Sequence, residues 1–156
     1  MLTRRLLSLI LLAGASGVLQ AEDQLVTGIC QVNLGPYIQK REACEFLTPD
    51  QEVPAGHRLI IEHVSAACST SADRPVHTLS LITKVDADVR AIPTYVPMTL
   101  QATSVGGLRY VGSQQVRIYA GERTAVELFA RTWEQAPAGD TSCQLTFSGV
   151  LVRLSQ

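Results

Sequence analysis

Apolar and polar residues alternate along this chain in short runs, and the runs recur about every ten residues between turn-forming segments. The runs cover residues 25–33, 43–47, 58–67, 77–85, 95–102, 108–111, 115–120, 124–132 and 143–154. Between them lie "LGP", "VPAG", "ADRP", "AIP", "GG", "AGER" and "APAGD", each carrying the glycine or proline that a turn needs. Beyond the first residues no window shows the 3.6-residue spacing of an amphipathic helix. The pattern therefore predicts an all-β protein, an antiparallel β-sandwich or barrel of about eight or nine strands.

One pair of runs allows a finer expectation. In "QQVRIYAGERTAVELFART" the sets Val116, Ile118, Ala120 and Val126, Leu128, Ala130 each occupy alternate positions. The two runs are expected to form a hairpin, and burying both sets on one face sets Ile118 opposite Val126 and Val116 opposite Leu128. Arg117 then stands opposite Glu127 as a cross-strand ion pair, with an odd-numbered loop around Gly121 and Arg123.

The start of the chain breaks the pattern. "MLTRRLLSLILLAGASGVLQAED" has a positive end at Arg4 and Arg5, an apolar middle at 6–12 and small residues after it, the three parts of a secretory signal. Its apolar stretch is shorter than the roughly 20 residues of a membrane-spanning helix. Cleavage is expected after Ala21, with Gly17 as the second option. This leaves residues 22–156 as one β-sandwich domain in the periplasm or outside the cell, with no transmembrane anchor. Removing Arg4 and Arg5 from the thirteen basic residues leaves eleven against fourteen acidic ones, a net charge of −3. The charges are interspersed, which argues against nucleic acid as a partner.

Cys30, Cys44, Cys68 and Cys143 all fall after the leader, and an even count in an oxidising compartment predicts two disulfides. Four cysteines allow three connectivities. Cys30–Cys44 with Cys68–Cys143 is preferred, a short loop plus a tie from mid-chain to the end. None of the four sits in a C-x-x-C pair, so neither a redox motif nor a zinc knuckle is signalled.

Candidate chemistry is sparse. "VPAGHRLIIEHVSAAC" sets Glu62, His57 and His63 in an apolar run, but strand neighbours point to opposite faces, so Glu62 and His63 cannot share a site. His57 and His63 share a face in a regular strand, yet six residues at about 3.3 Å each hold them about 20 Å apart. Leu59 and Ile61 are expected in the core. Asp86 and Asp88 fall short of the six to eight oxygens calcium takes. There is no G-x-S-x-G and no phosphate-binding glycine loop. No cofactor and no metal are expected, and the chain is expected not to be an enzyme.

The segment least like plain scaffold is "LFARTWE". Phe129, Arg131 and Trp133 alternate onto the face opposite Val126, Leu128 and Ala130, and Tyr119 is expected to join them from the partner strand. Aromatic rings flanking an arginine stack on a sugar or anchor a protein partner, unless a second layer of the fold covers them.

The blocks "VPAGHRLIIEHVSA", "QQVRIYAGERTAVELFAR" and "CQLTFSGVLV" resemble recurring blocks of a group of small, uncharacterised exported bacterial proteins, over about a third of the chain. The closing "TFSGVLV" resembles the last strand of the complement-type globular head, a jelly roll that forms trimers. These resemblances imply a jelly-roll-like sandwich capable of self-association, and no activity. The leading expectation is an exported, non-enzymatic protein that binds a protein partner or self-associates in the cell envelope. One alternative is a carbohydrate-binding module. Another is an envelope polymer hydrolase, for which Glu62 with Glu127 is the carboxylate pair to test.

Overall fold

The computed structural model of the chain describes residues 23–46, 51–71, 75–102, 107–132 and 141–155, so the expected leader and Trp133 lie outside the described residues. The strands are β1 (Gln24–Asn33), β2 (Gln39–Ala43), β3 (Glu45–Phe46), β4 (His57–Ser71), β5 (Val76–Thr83), β6 (Ile92–Tyr95), β7 (Thr99–Ala102), β8 (Gly107–Ala120), β9 (Glu127–Thr132) and β10 (Ser142–Arg153). They form two antiparallel sheets, one ordered β3-β1-β10-β4-β8-β7 and the other β2-β9-β5-β6.

Setting aside the short edge strands β3 and β7, the eight remaining strands run 1-8-3-6 in one sheet and 2-7-4-5 in the other, counted along the chain. Only β5 and β6 are consecutive neighbours; every other step crosses to the opposite sheet. This is the double Greek-key winding of a jelly roll. The sequence explains why it holds: the inward positions of both sheets are apolar at every second residue. Val26, Cys30 and Val32 of β1 and Cys143, Leu145 and Phe147 of β10 are buried from one side. Leu79 and Leu81 of β5 and Leu128 and Ala130 of β9 are buried from the other. At roughly 1.5–3 kcal/mol for each large apolar side chain, this shared core outweighs the local pair terms.

Both disulfides form as expected. Cys68 and Cys143 are direct partners in the β4–β10 pairing, and Cys30 of β1 joins Cys44. Cys44 sits at the single residue between β2 and β3, where the chain passes from one sheet to the other. That bridge therefore pins a crossing point rather than a loop tip.

The structure corrects the expected hairpin. β8 and β9 lie in different sheets: Ile118 pairs with Ile61 of β4, and Leu128 with Leu81 of β5. Both apolar sets do face inward, but they meet across the core instead of lying side by side. Glu127 is opposite Ala43 and Ile82, and its carboxylate pairs with Arg41 at 3.3 Å. Arg117 instead lies over the Tyr119 ring on its own strand, 5.9 Å from the centroid. The 121–126 connection is an arch held to neighbouring loops, with Gly121 N donating to the Lys84 carbonyl and Arg123 N to that of Val53.

A second correction concerns β4. Leu59 and Ile61 are fully buried, but a bulge at Glu62 shifts the phase, and the next inward residues are Val64, Ala66 and Cys68. His57 and His63 therefore do not share a face. His57 Nδ1 donates to the Ala55 carbonyl at 2.9 Å, and His63 Nε2 lies 2.9 Å from Ser113 Oγ.

Candidate functional site

Strand pairing lines up four residues in one row across the outer face of the four-stranded sheet. Arg41 is opposite Phe129, Phe129 opposite Ser80, and Ser80 opposite Tyr95. Each step is one inter-strand spacing, so the row spans about 14 Å. The row beside it holds Gln39, Arg131 and Thr78. These residues face outward because the β9 residues between them, Leu128 and Ala130, are committed to the core.

A short side chain flanked by two rings leaves a depression, and the outer face here forms an open groove of about 550 Å³. Ser80 lies between Phe129 and Tyr95, whose backbones are two strand spacings apart, about 10 Å. Arg41 and Arg131 line the groove from β2 and β9, and Arg90 and Ala91 from the loop between β5 and β6. An irregularity in β5 at His77 lets both His77 and Thr78 line it as well. The Tyr95 ring is 67% exposed, and Phe129 is half-buried.

The groove is locally positive on a chain whose formal net charge is −1. Among the described residues three arginines line it and no carboxylate does. Arg41 is held by Glu127 from the rim, whereas Arg90 and Arg131 make no ion pair among the described residues. Ser80 adds a second signal. It is 1% exposed, and its hydroxyl has no hydrogen-bond partner. A buried hydroxyl left unsatisfied costs about 1–3 kcal/mol, a cost that a partner arriving from outside would offset.

The expected recognition residues divide. Phe129 and Arg131 belong to this groove. Tyr119 does not join them: it sits on β8 in the six-stranded sheet, on the face turned away from the inward Ile118 and Ala120. Trp133 lies outside the described residues. Sequence reasoning missed Arg41, Ser80, Arg90 and Tyr95, which come from β2, β5, the β5–β6 loop and β6. The alternation of Lys40 and Arg41 in "QKREA" marks a strand with an outward arginine, but nothing in the chain sets it beside Phe129.

Other candidates do not converge. Glu62 is exposed at the bulge of β4 in the six-stranded sheet, while Glu127 is on the outer face of the other sheet, so the core separates the proposed hydrolase pair. Asp86 and Asp88 are exposed in the β5–β6 loop. Among the described residues no three His, Cys, Asp or Glu side chains gather as a metal site, and no helix is long and apolar enough to cross a membrane. A depression of about 780 Å³ at one end of the sandwich holds Arg123 and Arg153, but Glu122 lines it too. The Glu122 carboxylate there already accepts from Gly56 N. Comparison of the chain with protein-family models found no matching family, and comparison with curated proteins found no matching sequence.

Proposed function

We propose that this protein is an exported, non-enzymatic recognition protein of the cell envelope, and that it engages its ligand through the groove on the four-stranded sheet. One observation carries the proposal: the Arg41–Phe129–Ser80–Tyr95 row, with Arg131 and Arg90 beside it, gathers positive charge, exposed ring surface and an unsatisfied hydroxyl at one place. Arginine and aromatic side chains on a rigid surface are the residues that dominate binding energy in recognition sites. Placing all of them but Arg90 on strands fixes their geometry before the ligand arrives. Recognition is favoured over catalysis because the lining is dominated by arginines and rings, and among the described residues no carboxylate lines the groove to work with His77 as an acid–base pair. Export is supported by the leader-like start of the chain and by two buried disulfides.

The test is co-sedimentation with isolated cell-envelope material. The unaltered protein is expected to sediment with the envelope fraction, and Arg41→Glu/Arg90→Glu/Arg131→Glu to remain in the supernatant with unchanged thermal stability. Equal sedimentation of the two proteins would remove the groove from the function.

A further inference from the structure

We infer that the ligand of this groove is a short saccharide bearing carboxylates, whose ring packs above Ser80 between Phe129 and Tyr95 while the arginines hold its acid groups; this rests on the groove being the recognition surface. Four features select that chemistry. First, the two aromatic residues stand about 10 Å apart in backbone position with only a serine between them. Tyr95, 67% exposed, presents a ring face on which a sugar ring stacks. Second, the Ser80 hydroxyl at the groove floor lacks a partner, and a sugar hydroxyl both donates and accepts. Third, two of the three lining arginines, Arg90 and Arg131, make no ion pair among the described residues and call for anionic groups, which guanidinium binds in a bidentate fork. Fourth, the groove lies on the face of a sheet whose backbone groups are spent in the ladders, so recognition is by side chains alone.

An acidic peptide fits less well. Extended peptides are captured at open sheet edges by backbone hydrogen bonds. Both edges of this sheet are blunted, β6 by Pro93 and β2 by the charged run Lys40, Arg41 and Glu42.

Titration calorimetry on the mature protein at about 0.05 M salt tests the inference with four probes: trigalacturonate, its methyl ester, maltotriose and pentaglutamate. Trigalacturonate is expected to bind at least tenfold more tightly than the other three. Arg131→Glu and Tyr95→Ala should each weaken it tenfold or more, and Ser80→Ala severalfold, with thermal unfolding unshifted by the first two. Equal affinity for the methyl ester or maltotriose would overturn the role of the acid groups. Tighter binding of pentaglutamate would make the ligand an acidic peptide. No binding of trigalacturonate, or binding that Arg131→Glu leaves unchanged, would also overturn the inference. If groove-dependent sedimentation with the envelope nevertheless persisted, the recognition surface would stand and only its assigned ligand would fall.

Discussion

Ser80 stands directly opposite Phe129 in the β5–β9 pairing, buried beneath the outer face with its hydroxyl unpaired. Its neighbours from Leu79 to Thr83 are all buried too, and an alanine would fit the same space. A partnerless hydroxyl works against the fold, so Ser80→Ala is expected to leave the unliganded protein as stable as before, or up to about 1 kcal/mol more stable. Denaturant unfolding measures this. A loss above about 1 kcal/mol would mean that the hydroxyl is satisfied in the free protein and is not reserved for a ligand.

Gly28 and Phe147 face one another across the β1–β10 pairing. A methyl group on residue 28 would fall within the Phe147 ring, with Cζ only 2.2 Å away. The ring fills the space that a side chain at residue 28 would take and meets Phe46 edge-on, their centroids 5.8 Å apart. Gly28→Ala should therefore destabilise by about 1–3 kcal/mol through overpacking, and Phe147→Ala by about 3–5 kcal/mol through the cavity left. If the clash is the cause, Gly28→Ala should cost much less when combined with Phe147→Leu. Additive costs in that double-mutant cycle would separate the two residues.

The two disulfides should differ in weight. Cys68–Cys143 spans 75 residues and Cys30–Cys44 spans 14. On the loop-entropy relation these separations give about 4.5 and about 3 kcal/mol. Replacing Cys68 and Cys143 by alanine should therefore lower stability by about 1.5 kcal/mol more than replacing Cys30 and Cys44. Urea midpoints of the two double variants decide it. The reverse order would show that pinning the β2–β3 crossing matters more than loop length.

What could be read from the chain, and what could not, follows from the range of each signal. Alternation is local, so the inward faces of Leu59, Ile61, Leu128 and Leu145 were legible from their neighbours. Pairing is not local. Val116–Ala120 and Val126–Ala130 satisfy the alternation equally well as a hairpin or as opposite walls of a core, and the jelly-roll winding chose the second. Runs at 108–111 and 115–120 looked separate because Gly112 interrupts them, yet they are one strand, β8. There Gly112 lets the Pro97 carbonyl approach to a point 2.3 Å from where a Cβ would stand. The run at 95–102 breaks at Pro97, which has no N–H to give a ladder: β7 lies inside it, whereas β6 takes only Tyr95 from it and begins at Ile92 in the "AIP" read as a turn. For the same reason half the groove was hidden: Phe129 and Arg131 announce themselves two residues apart. Arg41, Ser80 and Tyr95 reach them only through two non-sequential strand pairings, β2–β9 and β5–β9, with β6 added beside β5.

Arg41 and Glu127 give the sharpest functional prediction. Glu127 holds Arg41 at 3.3 Å from the rim, with both side chains partly exposed, so the pair adds only a few tenths of a kcal/mol to stability. The same carboxylate competes with any anion for that guanidinium. An opposite charge near 4 Å in a well-solvated setting is worth about 1 kcal/mol, roughly a fivefold change in affinity. Glu127→Gln keeps the shape and removes the charge. It should leave the unfolding midpoint nearly unchanged, strengthen trigalacturonate binding severalfold and steepen its loss with added salt. Arg41→Gln should do the opposite, and the double variant should match Arg41→Gln alone, because a carboxylate with no guanidinium to hold has nothing to withhold from the ligand. Calorimetry on the four proteins at two salt concentrations resolves this. A Glu127→Gln protein that binds more weakly would show that Glu127 orients Arg41 for the ligand instead of competing for it.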